Sequence, residues 1–332
     1  MSRSFASLPG VETVSPAYCY RVTKYDPADR DERGRYVGAE DIYSDHGPVE
    51  AAYLAAVADF AHDSGVTALS IREPCVADFV NFGIEPTVDG HGLAGLFPPD
   101  LSGYHDGAQV PLTVALELVR AMLRDNGAWC RLEADDRFSV HVGWDQYVYV
   151  SSALLCHRAV ALTHEHGLFA ERISQSPFTP ELDTPPARAA DEAFWREAAD
   201  LISERGAVLL EEGFVGNAAR WHRVTADRLE DVRTRLTPRS RLLLWPDLSA
   251  DIPAALALLP DDGGTSEVVW EDSTGRITSR YAEEDDYPAL RAELVDARGA
   301  AVHSIYEDDR RPLLTAVLPD PDGVLRARWT PG

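Results

Sequence analysis

Lysine is nearly missing from this chain of 332 residues: Lys24 is the only one, so thirty of its thirty-one basic residues are arginine. Positive charge is scarce altogether, because 31 basic residues face 55 acidic ones and leave a formal net charge of −24. A surface with that field repels phosphate backbones and anionic lipid headgroups, which argues against nucleic-acid binding and against docking on a membrane face. Cysteine is sparse too. Cys19, Cys75, Cys130 and Cys156 lie far apart with no C-x-x-C pair, so neither a zinc knuckle nor a thioredoxin motif is present. They read as free thiols of a reducing compartment. No window of 18 apolar residues exists and the first ten residues carry no apolar segment. The expectation is therefore a cytoplasmic protein without a membrane span.

What remains is an ordinary globular composition, 45% hydrophobic, at a length that suits two domains. Residues 18 to 25 are β-branched and aromatic and read as a first strand. From Pro48 to Ser64, Val49, Tyr53, Leu54, Val57, Phe60 and Ala61 recur at helical spacing, closed by Gly65. Val66 to Arg72 follows as a strand. Leu112 to Asn126 repeats the helical pattern, and Trp129 to Glu133 with Phe138 to Ser151 reads as a hairpin whose second arm shifts phase at Gln146. Ala153 to His166 is a third helix. Four prolines among residues 174 to 191 mark a linker, so the expected division is an N-terminal domain over 1–175, a linker over 176–191 and a C-terminal domain over 192–332. Beyond the linker come helices 192–205, 226–236, 251–259 and 287–298, strands 207–211, 219–224 and 241–245, a hairpin 267–281 and a last hairpin from Ala301 to Trp329.

The helix-then-hairpin order favours an α+β fold with mixed or antiparallel sheets over a doubly wound one. One internal correspondence suggests that the halves are distantly related. Glu117-Leu118-Val119 leads to Gly127-Ala128 and Asp135-Asp136-Arg137; Glu293-Leu294-Val295 leads to Gly299-Ala300 and Asp308-Asp309-Arg310.

No phosphate-binding loop, nucleophile elbow or thiol-nucleophile motif occurs, and no cofactor or metal is implied. Two functional readings follow. The first is a non-catalytic protein-binding role for the acidic surface, as in an immunity or antitoxin protein that masks a basic partner. Its candidate residues are Trp144, Asp145 and Tyr147, which offer large contact area, and the acidic run Glu283, Glu284, Asp285 and Asp286. The alternative is an enzyme or small-ligand site beneath the loop of residues 83–111, which holds six glycines and four prolines. Asp45, His46, His91, His105 and Asp106 would supply acid–base chemistry there, although Asp-Gly and His-Gly are also turn-forming pairs.

Overall fold

The computed structural model describes residues 16–39, 46–81, 92–143, 145–177, 188–260, 264–306 and 309–328. In chain order they form β1 (Tyr18–Thr23), α1 (Pro48–Asp63), β2 (Ala68–Asn81), β3 (Gln109–Pro111), α2 (Leu112–Leu123), β4 (Ala128–Ala134) and β5 (Phe138–Val142). Then come β6 (Val148–Ser152), α3 (His157–Glu165), β7 (Phe169–Ile173), α4 (Glu192–Arg205), β8 (Ala207–Thr225), α5 (Leu229–Arg235) and β9 (Arg241–Pro246). The chain ends with α6 (Ile252–Leu256), β10 (Ser266–Glu271), β11 (Ile277–Ala282), α7 (Tyr287–Glu293), β12 (Gly299–Ser304) and β13 (Leu314–Val317). The fold is α+β. Among the described residues no helix is long and apolar enough to cross a membrane.

The chain divides into two units, residues 1–69 with 132–179 and residues 70–131 with 180–332. A break thus falls inside the expected linker, of which residues 178–187 lie outside the described ones. Residues 70–131, expected in the first domain, group instead with the C-terminal half.

In the first unit the end of β4, then β5, β6, β1 and β7 are neighbours in that order, all antiparallel. The helical stripe read from the sequence is the buried face of α1: Tyr53, Leu54, Val57, Phe60 and Ala61 are all inside. Phe60 meets Tyr20 of β1 at 5.0 Å between ring centroids. The stretch 138–151 is not one arm but two strands, β5 and β6, which pair with each other. The phase shift at Gln146 is the turn between them, where Gln146 takes φ 61° and the Gly143 N–H donates to the Tyr147 carbonyl.

The second unit is layered. Strand order is β13, β9, β8, β2, with β3 on β2; β2 and β8 run parallel and the other long pairs antiparallel. A second sheet has the order β11, β10, β12. Alternation along β8 decides what each face touches. Val208 and Leu210 join Phe194, Trp195, Ala198 and Ile202 of α4, whereas Leu209 joins Trp221, Trp245 and Val269 on the other side. On the far face of the three-stranded sheet, Val268, Trp270, Ala282 and Ala300 pack against Leu256 of α6 and Leu290 of α7.

Two local findings matter for the site. Residues 207–225 cannot be one straight strand, because ten residues of strand span roughly 33 Å, yet the side chains of Glu212 and His222 are 2.9 Å apart. The segment reverses near Asn217, whose φ of 62° suits an Asn in a tight turn. This restores the two separate strands expected from the sequence. The expected last hairpin, by contrast, does not form: β12 pairs with β10 and β13 with β9. The correspondence between the halves therefore stops at local sequence, since β4 and β5 pair with each other and β12 and β13 do not.

Candidate functional site

The residues of the alternative reading fall in different settings. Asp45 and His91 lie outside the described residues. His46 is exposed in the turn before α1, in the first unit; His105 and Asp106 belong to the second. Asp106 is 1% exposed and held by cations: Arg239 Nη1 donates to its Oδ2 at 3.1 Å, and Arg72 Nε lies 3.2 Å from its Oδ1. The backbone N–H of Glu73 donates to the same Oδ1 at 3.1 Å. Arg239 also grips Asp320 through two bonds of 2.7 and 2.9 Å. A carboxylate enclosed in this way is a cross-link between loops. His105 turns Nδ1 to the Asp106 carbonyl at 3.0 Å, and burial lowers its pKa, which keeps the ring neutral. Among the described residues, no group of three or more His, Cys, Asp or Glu side chains is placed to hold a metal ion.

The most perturbed polar groups are ones the sequence did not single out. Within the second unit, the face of β8 and β9 packs on the three-stranded sheet, and two glutamates meet that interior. Glu211 of β8 is 4% exposed and Glu267 of β10 is 3% exposed. Arg310 Nη2 reaches Glu211 Oε2 at 2.5 Å, and the Trp245 indole N–H donates to the same oxygen at 2.9 Å. Glu267 Oε1 accepts from the Trp221 indole at 3.0 Å and the Ser279 hydroxyl at 2.6 Å. Strand register places Tyr281 and His303 directly beside Glu267, one on each neighbouring strand. The His303 ring stacks on Trp221 at 5.3 Å and meets Trp245 at 4.5 Å.

Burial and the nearby Glu211 charge push the Glu267 carboxyl up to about 7. Burial, reinforced by Arg310, pushes His303 down to about 3. Burial also raises the Tyr281 phenol, with the two glutamates adding to the effect. A carboxyl raised to near neutral pH has the pKa that general acid–base chemistry uses. None of Glu211, Glu267 and His303 is more than 9% exposed, however, so the network faces protein rather than a substrate. On the opposite face of β8, burial works to raise Glu212, but His222, the Thr237 N–H and Arg220 hold its carboxyl below the usual range.

The exposed candidate lies on the outer side of the three-stranded sheet. A groove of about 670 Å3 runs between α6 and the end of α7, lined by Ile252, Pro253, Leu256, Leu294 and Val295, with Arg291 at its side. Val295 is 77% exposed and Leu258, just past α6, is 70% exposed, large values for apolar side chains. The acidic run stands at the other end of α7, roughly 12 Å away at helical rise. Glu283 and Asp286 form a capping box there, and Arg280 lies 3.5 Å from Asp286. Glu284 and Asp285 are exposed. Between residues 251 and 300, twelve acidic residues face four basic ones, a net −8 of the chain's −24 in under a sixth of its length.

The other expected contact residues have a different setting. Trp144 lies outside the described residues. Asp145 accepts from the Tyr149 hydroxyl at 2.6 Å and the Tyr147 N–H at 3.1 Å, so it organises its own turn. Tyr147 is half-buried beneath Arg21 and Arg30, at 5.8 and 5.5 Å from its ring centre. Comparison with family models, with characterised proteins and with solved structures gives no match to this chain.

Proposed function

We propose that this protein binds a basic, amphipathic segment of a partner protein through the α6–α7 face of its second unit, acting as an acidic masking protein of the immunity or antitoxin type. The observation that carries the reading is the juxtaposition of an apolar groove, flanked by exposed Leu258 and Val295, with the acidic run Glu283 to Asp286 at the other end of α7. Apolar side chains of the partner would fill the groove and its cations would meet Glu284 and Asp285. The apolar part supplies affinity, and the charge supplies encounter rate and choice of partner. A reacting group needs access to substrate; the perturbed carboxyls here have none, which favours binding over catalysis.

The test uses a synthetic 18-residue Lys/Leu amphipathic helix as probe, with two controls: the same charges without leucine, and glutamate in place of lysine. Val295→Asp and the double reversal Glu284→Lys with Asp285→Lys are each expected to weaken binding of the amphipathic probe about tenfold, the value of one well-placed contact. All the changes are at exposed positions, so folding is preserved. Equal binding of the leucine-free peptide, or no loss in Val295→Asp, would show general charge attraction and sink the proposal.

A further inference from the structure

In the first unit two arginines share one tyrosine and one carboxylate. Arg21 of β1 stands opposite Glu171 of β7 in the strand register and donates from Nη2 to its Oε2 at 2.6 Å. Arg30, in the loop after β1, brings Nε to 3.8 Å from the same oxygen and donates from Nη1 to the Gly34 carbonyl at 3.0 Å. Both guanidiniums lie over the Tyr147 ring. The Arg30 side chain is only 9% exposed and that of Arg21 18%.

Among the described residues, three buried nitrogens of this pair, Arg21 Nε and Arg30 Nε and Nη2, have no hydrogen-bond partner. An unmade bond on a buried charged donor is costly, and folded proteins leave few of them. Of the acids near Arg30 in sequence, Asp26 accepts from the Ala28 N–H and Asp31 pairs with Arg35. Arg21 and Arg30 therefore share one ion-pair partner, the Glu171 carboxylate.

We propose that Arg21, Arg30 and Tyr147 form a binding site for a tetrahedral oxyanion, a phosphate group, for which Glu171 is the resident competitor. Guanidinium forks match phosphate oxygens in pairs, and two forks on one aromatic face are held in orientation before the ligand arrives. Glu171 is 31% exposed, so an entering phosphate takes its place on Arg21 and satisfies the idle donors of Arg30.

Equilibrium dialysis against radiolabelled inorganic phosphate, with ionic strength held by sodium chloride, tests this directly. It reads binding rather than stability, which phosphate raises generally by exclusion from protein surfaces. The wild type is expected to bind one phosphate saturably. Glu171→Gln removes the competitor and is expected to tighten binding about tenfold, a gain that misfolding cannot produce. Arg30→Lys keeps the charge but loses the fork, and is expected to weaken binding about tenfold. No saturable phosphate in either wild type or Glu171→Gln would overturn the proposal, as would an unchanged affinity in Arg30→Lys.

Discussion

Glu267 and His303 sit side by side in neighbouring strands, yet their pH dependences have opposite signs. The Glu267 carboxyl titrates near 4.5 when unfolded and near 7 when folded, so between those values the folded chain holds a proton that the unfolded chain has lost. Stability from this group falls as pH rises through that window. His303 does the reverse. Its ring titrates near 6.5 unfolded and near 3 folded, so the unfolded chain holds the extra proton and stability rises with pH across that range. The two slopes oppose each other between about 4.5 and 6.5 and hide one another in the wild type. Single variants separate them. Glu267→Gln keeps a side chain that accepts from Trp221 and Ser279, and it is expected to gain on the wild type as pH rises from 5 to 8, by roughly 3 kcal/mol at most. His303→Phe is expected to gain on the wild type as pH falls from 6.5 to 4. Urea unfolding at a series of pH values reads both differences; differences flat across pH would refute the account.

At the scale of the element, the polar cross-links carry loops that the apolar pattern does not specify. Asp106 joins the loop before β3 to Arg72 on β2 and to Arg239 before β9. Gly107 sits at φ 82°, a conformation that favours glycine, and a Cβ there would also lie 2.4 Å from the Arg239 guanidinium carbon. Asp106→Asn leaves two half-buried arginines undercompensated and is expected to destabilise the fold by about 3 kcal/mol. Urea midpoints at pH 7 would show it; a loss under 1 kcal/mol would mean that the loop stands without the ion pairs. The Asp-Gly turn was legible in the sequence, and so were α1, α2 and α4, whose apolar stripes are long enough to fix a period. What was not legible depends on distance along the chain. Glu211 and Glu267 stand 56 residues apart in ordinary strand sequence, and only the facing of two sheets brings them together. Likewise nothing local distinguishes a β12 that pairs with β13 from one that pairs with β10. The Asp26–Asp45 stretch reads as a charged loop, and the idle donors of Arg30 appear only once Tyr147 and Glu171 have been placed beside it.

At the scale of the whole molecule, the net charge of −24 acts on folding and on binding with opposite sign. Like charges on one chain repel most when the chain is compact, so the charge destabilises the folded state, and added salt relieves it. The same field draws a cationic partner, and added salt weakens that attraction. Raising sodium chloride from about 20 to about 500 mM shortens the screening length from near 20 Å to near 4 Å, which silences charges across the surface but spares pairs as close as Arg310 and Glu211. The unfolding midpoint is therefore expected to rise with salt while affinity for the amphipathic basic probe falls by tenfold or more. The fall should level off rather than reach zero, because groove burial does not depend on screening. The variant Glu284→Lys with Asp285→Lys should show a shallower salt slope than the wild type, and Val295→Asp should keep the slope while losing the plateau. If the unfolding midpoint and the affinity moved in the same direction with salt, the acidic field would not be the source of binding, and the masking role proposed for it would fail.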